Sequence, residues 1–235
     1  AVAGATGRMG SLVARELEAA PEYAMVARLD KGTLADDWHG ARAIADFTSP
    51  AGTLELAGLA AARGVGLLVG TTGLGAEAHA ALGRAALVVP VMVAPNLSLG
   101  VAALVRALRA AVPALPGYDI EIVERHHAAK VDSPSGTALA LARVVQDALG
   151  AAALLRAGRD GPVGPRAKGE IGMHSLRGGA WVGEHTVILA GPHETLELTH
   201  VAHDRAAFAA GALAALRFLA QARPGTYALE DALVS

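Results

Sequence analysis

Two adjacent histidines and a lysine lie close together near the middle of the chain, in the segment His126-His127-Ala128-Ala129-Lys130. An imidazole exchanges protons near neutral pH, and an ammonium binds a carboxylate or donates a proton. Only three of the twenty basic residues are lysines, and Lys130 is one of them. The segment therefore predicts a site of proton transfer to a substrate that carries negative charge.

The elements on either side of this segment are expected to hold it in place. Residues Tyr118–Glu124 alternate apolar and polar side chains, which predicts a strand. Adjacent residues of a strand point to opposite sides, so one histidine is expected to face a cleft while the other packs. Ser135, Gly136 and Thr137 lie where the next predicted helix starts, and their N–H and hydroxyl groups are suited to binding a carboxylate.

Other interpretations of the same residues remain open at this point. The paired histidines are also compatible with a metal site or with a buried structural pair. The chain has no cysteine, and no acid lies at a typical ligand spacing from the histidines, which argues against zinc. The Ser-Pro-Ser-Gly-Thr run also has the composition of a helix cap.

A glycine-rich turn near the start of the chain predicts a dinucleotide site. The segment Gly4-Ala5-Thr6-Gly7-Arg8-Met9-Gly10 follows a short apolar strand and opens a helix. Glycines allow a tight turn and close approach to a pyrophosphate, which the helix N-terminus attracts. Asp30 ends the second predicted strand twenty residues beyond Gly10, where a carboxylate accepts hydrogen bonds from a ribose.

The choice between NADH and NADPH stays open on these residues. Asp30 favours NADH because a carboxylate repels a 2′-phosphate. Lys31 offers that phosphate a partner, or is simply a solvated loop charge.

Two further loops follow predicted strands, Gly70-Thr71-Thr72-Gly73 and Ala94-Pro95-Asn96-Leu97-Ser98. Ligands of open α/β sheets bind at the carboxyl ends of parallel strands. Small residues there leave room for a nicotinamide ring, and Asn96 is suited to holding its carboxamide. Each loop alone is also compatible with an ordinary turn.

The pattern of the first half predicts an α/β fold, a Rossmann-like doubly wound parallel sheet. Its predicted strands are Val2–Ala3, Ala24–Leu29, Ala43–Asp46, Leu67–Val69 and Leu87–Met92. Its predicted helices are Ser11–Ala20, Thr53–Ala62 and Ala76–Ala86. We expect a dinucleotide-binding domain of residues 1–97 and 206–235.

The second half predicts a separate α+β domain with a mixed sheet, residues 98–205, for substrate binding and oligomerisation. Its helices, and the one that returns to the first domain, are predicted at Leu99–Ala111, Thr137–Leu149 and Ala206–Ala220. Its strands after Tyr118–Glu124 are predicted at Ile171–Leu176, His185–Leu189 and Thr195–His200. Residues Gly158–Gly169 are rich in glycine, proline and charge and predict a loop.

Composition excludes several classes of protein. The 235 residues contain no cysteine, so there are no disulfides or thiolate metal sites, and a cytoplasmic location is expected. A formal net charge of −2 gives no reason to expect nucleic acid or an anionic membrane as a partner. No apolar run approaches the about 20 residues of a membrane span. The chain begins at Ala1 inside a glycine-punctuated segment, so we expect a trimmed start and no signal peptide.

These motifs together resemble the 4-hydroxy-tetrahydrodipicolinate reductases, also called dihydrodipicolinate reductases, of the diaminopimelate and lysine pathway. The resemblance covers nearly the whole chain in order, and the pattern HHxxKxDxPSGTA within Glu124–Ala138 is its most specific part. The other matching pieces are Gly4–Gly10, Ala45–Pro50, Gly70–Gly73, Ala94–Gly100, Gly169–Gly172, Arg177–Gly179, Val182–Thr186, Leu196–His200, Arg205 and Gly225–Tyr227, the last as the closing strand.

The resemblance implies a role for each predicted site residue. His126 would be the general acid/base that protonates the substrate after hydride transfer, with Lys130 as second catalytic residue. His127, Gly136 and Thr137 would bind the dicarboxylate together with Lys130, and the helix start adds Ser135. NADH or NADPH would be bound by Gly4, Ala5, Thr6, Gly7, Arg8, Met9, Asp30, Lys31, Gly70, Thr71, Thr72, Ala94, Pro95, Asn96 and Leu97.

The resemblance also implies a cytoplasmic homotetramer in which the sheets of the second domain form the contacts between subunits. The chain departs from the family in three places. Ala128-Ala129 stand where many members have Arg-His or Arg-Asn, and Leu97 stands where many have Phe near the nicotinamide. The segment between Asp30 and Ala45 is short. Neither His126 nor Lys130 is affected.

Two rival functions follow from the same fold. One is another small two-domain NAD(P) dehydrogenase, although the lack of cysteine argues against the thiol-dependent aldehyde type. The other is a cofactor-sensing module without catalysis. The intact stretch from His126 to Lys130 favours the reductase over the sensor, since a sensor needs no proton donor.

Overall fold

The computed structural model describes residues 1–38, 40–150 and 153–234. The chain divides into two compact units, Ala1–Leu99 with Ala206–Ser235 as unit 1 and Gly100–Arg205 as unit 2. The strands are β1 Val2–Ala3, β2 Arg28–Leu29, β3 Ala43–Asp46, β4 Gly66–Val69, β5 Pro90–Val93, β6 Asp119–His126, β7 Leu155–Ala157, β8 Ile171–Arg177, β9 Gly183–Ala190, β10 Thr195–Ala202 and β11 Gly225–Tyr227. The helices are α1 Arg8–Ala19, α2 Pro50–Arg63, α3 Ala76–Ala85, α4 Leu99–Ala114, α5 Gly136–Leu149, α6 Ala206–Leu219 and a 3₁₀ helix Leu229–Val234.

Unit 1 is built on a six-stranded sheet in the order β11-β5-β4-β3-β1-β2, and every strand pair in it is parallel. The order reverses next to β1, because β2 pairs on one side of β1 and β3 on the other. Helix α1 packs with α6, and α2 packs with α3. The predicted Rossmann-like doubly wound sheet is confirmed, and so is the closing strand, which pairs with β5.

Local sequence explains how the central strands and helices of unit 1 form. Every residue of β3 and β4 is buried, as expected for parallel strands covered on both faces. Helix α2 begins after Ser49, whose side chain accepts a hydrogen bond from the Gly52 N–H, and Pro50 occupies its first turn. It ends at Gly64, which adopts a left-handed conformation with φ 67°.

The prediction of a strand over Ala24–Leu29 is wrong for most of its length. Only Arg28–Leu29 is a strand. Strand β2 lies at the sheet edge and pairs with β1 alone, which itself has two residues, so the ladder ends after Val2↔Arg28 and Ala3↔Leu29. Apolar composition marked the segment correctly, but the length of a strand is set by its partner.

Unit 2 contains a five-stranded sheet in the order β10-β9-β6-β8-β7. Strand β6 pairs antiparallel with β9 and parallel with β8, so the predicted mixed sheet is confirmed. Alternate residues of β6 are buried, from Ile120 through Ile122 and Glu124 to His126. Helices α4 and α5 supply buried side chains to the same apolar cluster as Ile120 and Ile122.

The remaining elements follow the predicted boundaries to within three residues. The prediction of strand at Leu87–Val89 is wrong, because the ladders that β5 forms with β11 and β4 begin only at Pro90 and Val91. Helix α2 begins at Pro50 instead of Thr53. Helix α1 begins at Arg8 instead of Ser11, so the end of the glycine-rich turn is already helical. Strand β7 was not predicted, because three residues at a sheet edge carry too short a pattern. No helix within residues 1–38, 40–150 and 153–234 is long and apolar enough to cross a membrane.

Candidate functional site

The glycine-rich turn of unit 1 connects β1 to α1 in a conformation that requires glycine. Gly4 has φ 73°, and a Cβ there would collide with the carbonyl group of Phe47. A Cβ on Gly10 would collide in turn with the carbonyl of Gly4. Gly7 is the N-cap of α1 and has no side chain, so no side-chain acceptor caps the first-turn N–H groups. The turn therefore lets an anionic ligand approach the backbone closely, and the free N–H groups at the N-terminus of α1 are suited to binding it.

Asp30 is joined to this turn. The Thr6 N–H and hydroxyl both donate to Asp30 Oδ1, at 3.3 Å and 2.9 Å. Thr6, Asp30 and the exposed Lys31 line a cleft of about 630 Å³. The same cleft is lined by residues that the sequence analysis did not assign: Phe47, Thr48, Ser49, Gly52 and Glu55. Phe47, Thr48 and Ser49 follow strand β3 directly, which is the same sequence signal that the other two loops carry, whereas Gly52 and Glu55 belong to α2.

A buried carboxylate, Asp46, connects the loops at the carboxyl ends of β3 and β4. Its Oδ1 accepts hydrogen bonds from the Thr48 N–H at 2.9 Å and hydroxyl at 2.6 Å, and from the Thr71 hydroxyl at 3.0 Å. Its Oδ2 accepts from the Thr53 hydroxyl of α2. Asp46 therefore fixes Thr71, a predicted cofactor residue, relative to the loop that lines the cleft.

The loops Gly70–Thr72 and Ala94–Leu97 lie at the ends of the neighbouring strands β4 and β5. The Ala94 N–H donates to the Val69 carbonyl at 2.9 Å. A Cβ on Gly70 would collide with the Phe47 ring, so the glycine permits the close packing of two strand ends. Asn96 Oδ1 accepts from the Ser98 N–H at 2.8 Å, and Leu97 is 5% exposed. The structure thus brings the predicted loops to one edge of the sheet, outside the lining of the cleft beside Asp30.

The proton-donor segment lies at the end of β6 in unit 2. His126 is the last residue of the strand and is 9% exposed. Its Nδ1 lies 2.6 Å from Oε2 of Glu124, which is 1% exposed. A Cβ on Gly183 would lie 3.1 Å from His126 Nε2, so the glycine leaves space beside that nitrogen. Strand alternation places Glu124 and His126 on one face, and their separation by two residues is the signal for this in the sequence.

Lys130 lies in the turn that follows β6. Its N–H donates to the His127 carbonyl at 3.1 Å, and its ammonium bonds both oxygens of Asp132, at 2.7 Å and 2.9 Å. The Lys130 side chain is 20% exposed and that of Asp132 is 58% exposed. The half-buried His127 is fixed through its N–H, which donates to the Trp181 carbonyl at 2.8 Å. Asp132 was not predicted, although its spacing from Lys130 is part of the matching motif.

Ser135 acts as the N-cap of α5. Its hydroxyl oxygen accepts from the Ala138 N–H at 3.1 Å and lies 3.0 Å from His185 Nε2. Its own N–H donates to Glu124 at 3.1 Å. These bonds hold both polar groups of Ser135 inside unit 2, whereas Gly136 and Thr137 form the first turn of α5. The helix start is thus anchored to the same carboxylate as His126.

Burial and charge set the protonation states around His126. Burial lowers the pKa of His126 below its ordinary value, although the neighbouring Glu124 raises it. Burial raises the pKa of Glu124, but hydrogen bonds from Arg177, Ser175 and His126 outweigh it and bring the pKa to about 2. Burial also lowers the pKa of His185 to about 4. At neutral pH Glu124 is charged and His185 is neutral.

The loop between β7 and β8 is held on the other face of the sheet. Arg159 and Arg166 both bind Glu121 of β6, at 3.0 Å and 3.1 Å. Arg159 also pairs with Glu170. Strand alternation puts Glu121 opposite to Glu124. The two arginines of this loop therefore bind the face that does not carry His126.

The low pKa of His185 predicts a pH-dependent stability. An unfolded imidazole takes up a proton near pH 6.5, whereas the folded one does so near 4. The unfolded state therefore binds more protons as pH falls through this window, and His185 should contribute about 3 kcal/mol to the drop in the free energy of unfolding between pH 7 and pH 4. Denaturant unfolding at pH 7 and pH 4 measures it. The variant His185→Gln should show a smaller drop, and an equal drop in both proteins would contradict this assignment.

Within the described part of the chain, no group of three or more His, Cys, Asp or Glu side chains is arranged to hold a metal ion. His126 instead pairs with a carboxylate and lies against His185, with ring centroids 5.2 Å apart. The geometry is that of an oriented imidazole beside an ammonium and a helix start.

Comparison with known proteins gives consistent matches over the full length. The family model for the N-terminus of dihydrodipicolinate reductase matches residues 33–97. The family model for its C-terminus matches residues 100–233. The 4-hydroxy-tetrahydrodipicolinate reductase of Rubrobacter xylanophilus is 42% identical over 258 residues, covering 100% of this chain and 97% of the relative. That of Nitrosomonas eutropha is 40% identical over 259 residues, covering 99% and 97%.

Solved structures are similar in fold across nearly the whole chain. The dipicolinate-bound dihydrodipicolinate reductase from Paenisporosarcina sp. TG-14 aligns with a TM-score of 0.80 at 21% identity, covering 98% of this chain and 97% of that chain. A probable dehydrogenase from Thermotoga maritima aligns with a TM-score of 0.64 at 12% identity, covering 98% and 91%.

Proposed function

The chain belongs to the dihydrodipicolinate reductase family, and we propose that it reduces 4-hydroxy-tetrahydrodipicolinate to tetrahydrodipicolinate and water with NADH or NADPH. This reaction belongs to diaminopimelate and lysine biosynthesis. The observation that carries the proposal is the continuous stretch from Glu124 to Thr137, which joins an oriented proton donor, an ammonium and a helix start. Residues 1–97 with 206–235 would bind the dinucleotide, and residues 98–205 the substrate.

The cofactor proposal depends on the turn between β1 and α1. Gly4 and Gly10 leave the backbone bare where a Cβ would fill the turn, and the N-terminus of α1 is suited to a pyrophosphate. Asp30 lies at the cleft wall, where its carboxylate is suited to ribose hydroxyls. When bound there, the reduced nicotinamide supplies a hydride. The loops Gly70–Thr72 and Ala94–Leu97 would hold its ring.

His126 would donate the proton that completes the reduction. Its Nδ1 is engaged by Glu124, so Nε2 is the nitrogen from which the proton leaves. Gly183 carries no Cβ, which would lie 3.1 Å from that nitrogen, so this residue would not block a ligand atom from reaching it. The pKa of His126, lowered by burial, favours loss of the proton to the substrate near neutral pH.

The substrate carboxylates would be bound at the two ends of the same loop. The Lys130 ammonium would leave its ion pair with the exposed carboxylate of Asp132 and bind one substrate carboxylate instead. His127 would contact the same carboxylate. Gly136 and Thr137 would bind the other at the N-terminus of α5. Ser135, which was also predicted to bind substrate, would support this end as the helix cap. Dipicolinate, the ligand named for the Paenisporosarcina neighbour, is a planar dicarboxylate and a suitable probe.

The charges beside the cleft favour NADH over NADPH. The charged side chains that line the cleft are two carboxylates, Asp30 and Glu55, and one ammonium, Lys31. We therefore expect kcat/KM to be higher with NADH. The variant Lys31→Ala should raise KM for NADPH about fivefold, because an exposed ion pair contributes up to about 1 kcal/mol, and leave KM for NADH unchanged. Equal changes with both cofactors would show that Lys31 does not contact the 2′-phosphate.

We further propose a cytoplasmic homotetramer assembled through unit 2. Strand β10 forms an edge of the sheet and is exposed along most of its length. Leu196 and Val201, which are 36% and 45% exposed, are apolar side chains on this edge and are suited to contact another subunit. Light scattering should give four times the chain mass of 23.6 kDa.

The function is tested by mixing the purified chain with NADH or NADPH and the freshly made condensation product of pyruvate and aspartate semialdehyde. Absorbance of the reduced cofactor should fall only when enzyme and condensation product are both present. Aspartate semialdehyde or pyruvate alone serves as the control for another dehydrogenase. No decay with either cofactor would favour a cofactor-sensing module.

A further inference from the structure

The carboxylate of Glu124 contacts three separate parts of the site: the end of β6, the start of α5 and the end of β8. The carboxylate is 1% exposed and belongs to β6, two residues before the proposed proton donor. Its Oε2 lies 2.6 Å from His126 Nδ1 and 2.8 Å from Arg177 Nη1. Its Oε1 accepts from Arg177 Nη2 at 2.7 Å and from the Ser135 N–H at 3.1 Å.

We propose that Glu124 is the positioning residue of the reductase site, which holds the proton-donating nitrogen of His126 and the start of α5 in one fixed arrangement. The inference rests on the proposed function. Glu124 itself does not face the reacting atoms, because its oxygens are occupied by groups of the chain. It acts through His126 and through Ser135.

The first consequence is the tautomer of His126. A charged carboxylate only accepts hydrogen bonds, so Nδ1 carries a proton whenever it faces Glu124. Protonation and deprotonation of the ring then occur at Nε2 alone. The nitrogen beside Gly183 is therefore always the one that gives the proton.

The second consequence is a link between the proton donor and the substrate-binding end of the loop. Arg177 pairs with Glu124 and also donates to the Asp132 carbonyl at 2.7 Å, so the loop after Lys130 is fastened to the same ion pair. The Ser135 bond fastens the start of α5. One carboxylate thus sets the distance between His126 and the helix start.

The charge of Glu124 also offsets the positive groups that face His126. Burial lowers the pKa of His126 most, and the charges of Lys130 in the following turn and Arg177 on β8 lower it further. His185 on β9 is neutral, because burial lowers its pKa to about 4. Glu124 is the group that raises the pKa of His126. Without its charge, His126 would hold its proton only at lower pH.

The variant Glu124→Gln tests this arrangement, since glutamine keeps the size and loses the charge. We expect kcat at neutral pH to fall at least about tenfold and the alkaline limb of the pH profile of kcat to move down by about one unit. Activity should partly recover at lower pH, and KM for NADH should stay the same. A purely structural defect would scale the whole profile without moving the limb.

Glu121→Gln is a matched control on the same strand. Burial raises the pKa of Glu121, but hydrogen bonds from Arg159, His174 and Arg166 bring it to about 2, so it is an equally engaged carboxylate. It faces the opposite side of the sheet. Its substitution should leave the alkaline limb where it is in the wild type.

A second measurement does not depend on any variant folding. ¹⁵N NMR of the wild-type protein labelled in histidine should show neutral His126 protonated at Nδ1. Protonation at Nε2, or an alkaline limb in Glu124→Gln that coincides with the wild type, would overturn the inference. A wild-type kcat in His126→Ala would instead refute the proposed role of His126.

Discussion

The variant His126→Ala is expected to lower kcat by about 10²- to 10⁴-fold with little change in KM, because a general acid acts mainly in the transition state. Binding of the substrate would remain with Lys130 and the start of α5. Steady-state kinetics with NADH and the condensation product of pyruvate and aspartate semialdehyde measure both constants. The buried Glu124 keeps its bonds to Arg177 in this variant, so the fold is expected to survive.

The exposed His193 provides the matched control in unit 2. The variant His193→Ala removes the same side chain from the turn between β9 and β10 and should retain wild-type constants. Circular dichroism and thermal unfolding of both variants separate a catalytic loss from a folding defect. An unchanged kcat in His126→Ala would remove this histidine from the proposed chemistry.

The variant Lys130→Ala is expected to lower kcat/KM about hundredfold. A charge-assisted hydrogen bond to a substrate carboxylate contributes up to about 3 kcal/mol, and its loss affects binding and proton transfer together. Stability should change by less than about 1 kcal/mol, since the partner left behind, Asp132, is largely exposed and returns to water. Binding of dipicolinate should weaken to a similar extent, which isothermal titration calorimetry measures.

Lys168 offers a matched control for the ammonium. It is exposed in the loop before β8, and Lys168→Ala should bind dipicolinate as the wild type does. Equal kinetics for Lys130→Ala and the wild type would leave Lys130 as a surface charge paired with Asp132.

The sequence carried the architecture of unit 1 because its signals are local. Alternation of short apolar runs with helical segments predicted the parallel sheet, and the spacing of glycines before Asp30 predicted the turn that joins β1 to α1. The length of β2 could not be predicted in this way. It depends on β1, its pairing partner on the sheet edge.

The candidate site was predicted only in part, because several of its contacts join residues far apart in sequence. His126, Lys130 and the start of α5 share one stretch and were identified from it. Arg177 comes from β8, and its bonds to Glu124 follow from sheet pairing in which Arg177 lies opposite His126. Such a register is not visible in residue spacing.

Two acids of the site had signals that sequence reasoning passed over. Glu124 is two residues before His126, which in a strand means the same face, and Asp132 is two residues after Lys130 within the matching motif. Asp46 is a third such acid, since it is the last residue of β3 and precedes a loop that lines the cleft. It accepts hydrogen bonds from three threonine hydroxyl groups. Carboxylates one or two residues from predicted site residues are therefore the class of residue to seek first.

Transfer of deuterium from the cofactor to the product tests the proposed hydride transfer most directly. The chain would be supplied with NADH carrying two deuterium atoms at nicotinamide carbon 4, together with the condensation product of pyruvate and aspartate semialdehyde. Mass spectrometry of the tetrahydrodipicolinate formed should show one deuterium atom per molecule, matched to one cofactor oxidised. Turnover that yields product without deuterium, or no product at all, would contradict reduction by hydride transfer.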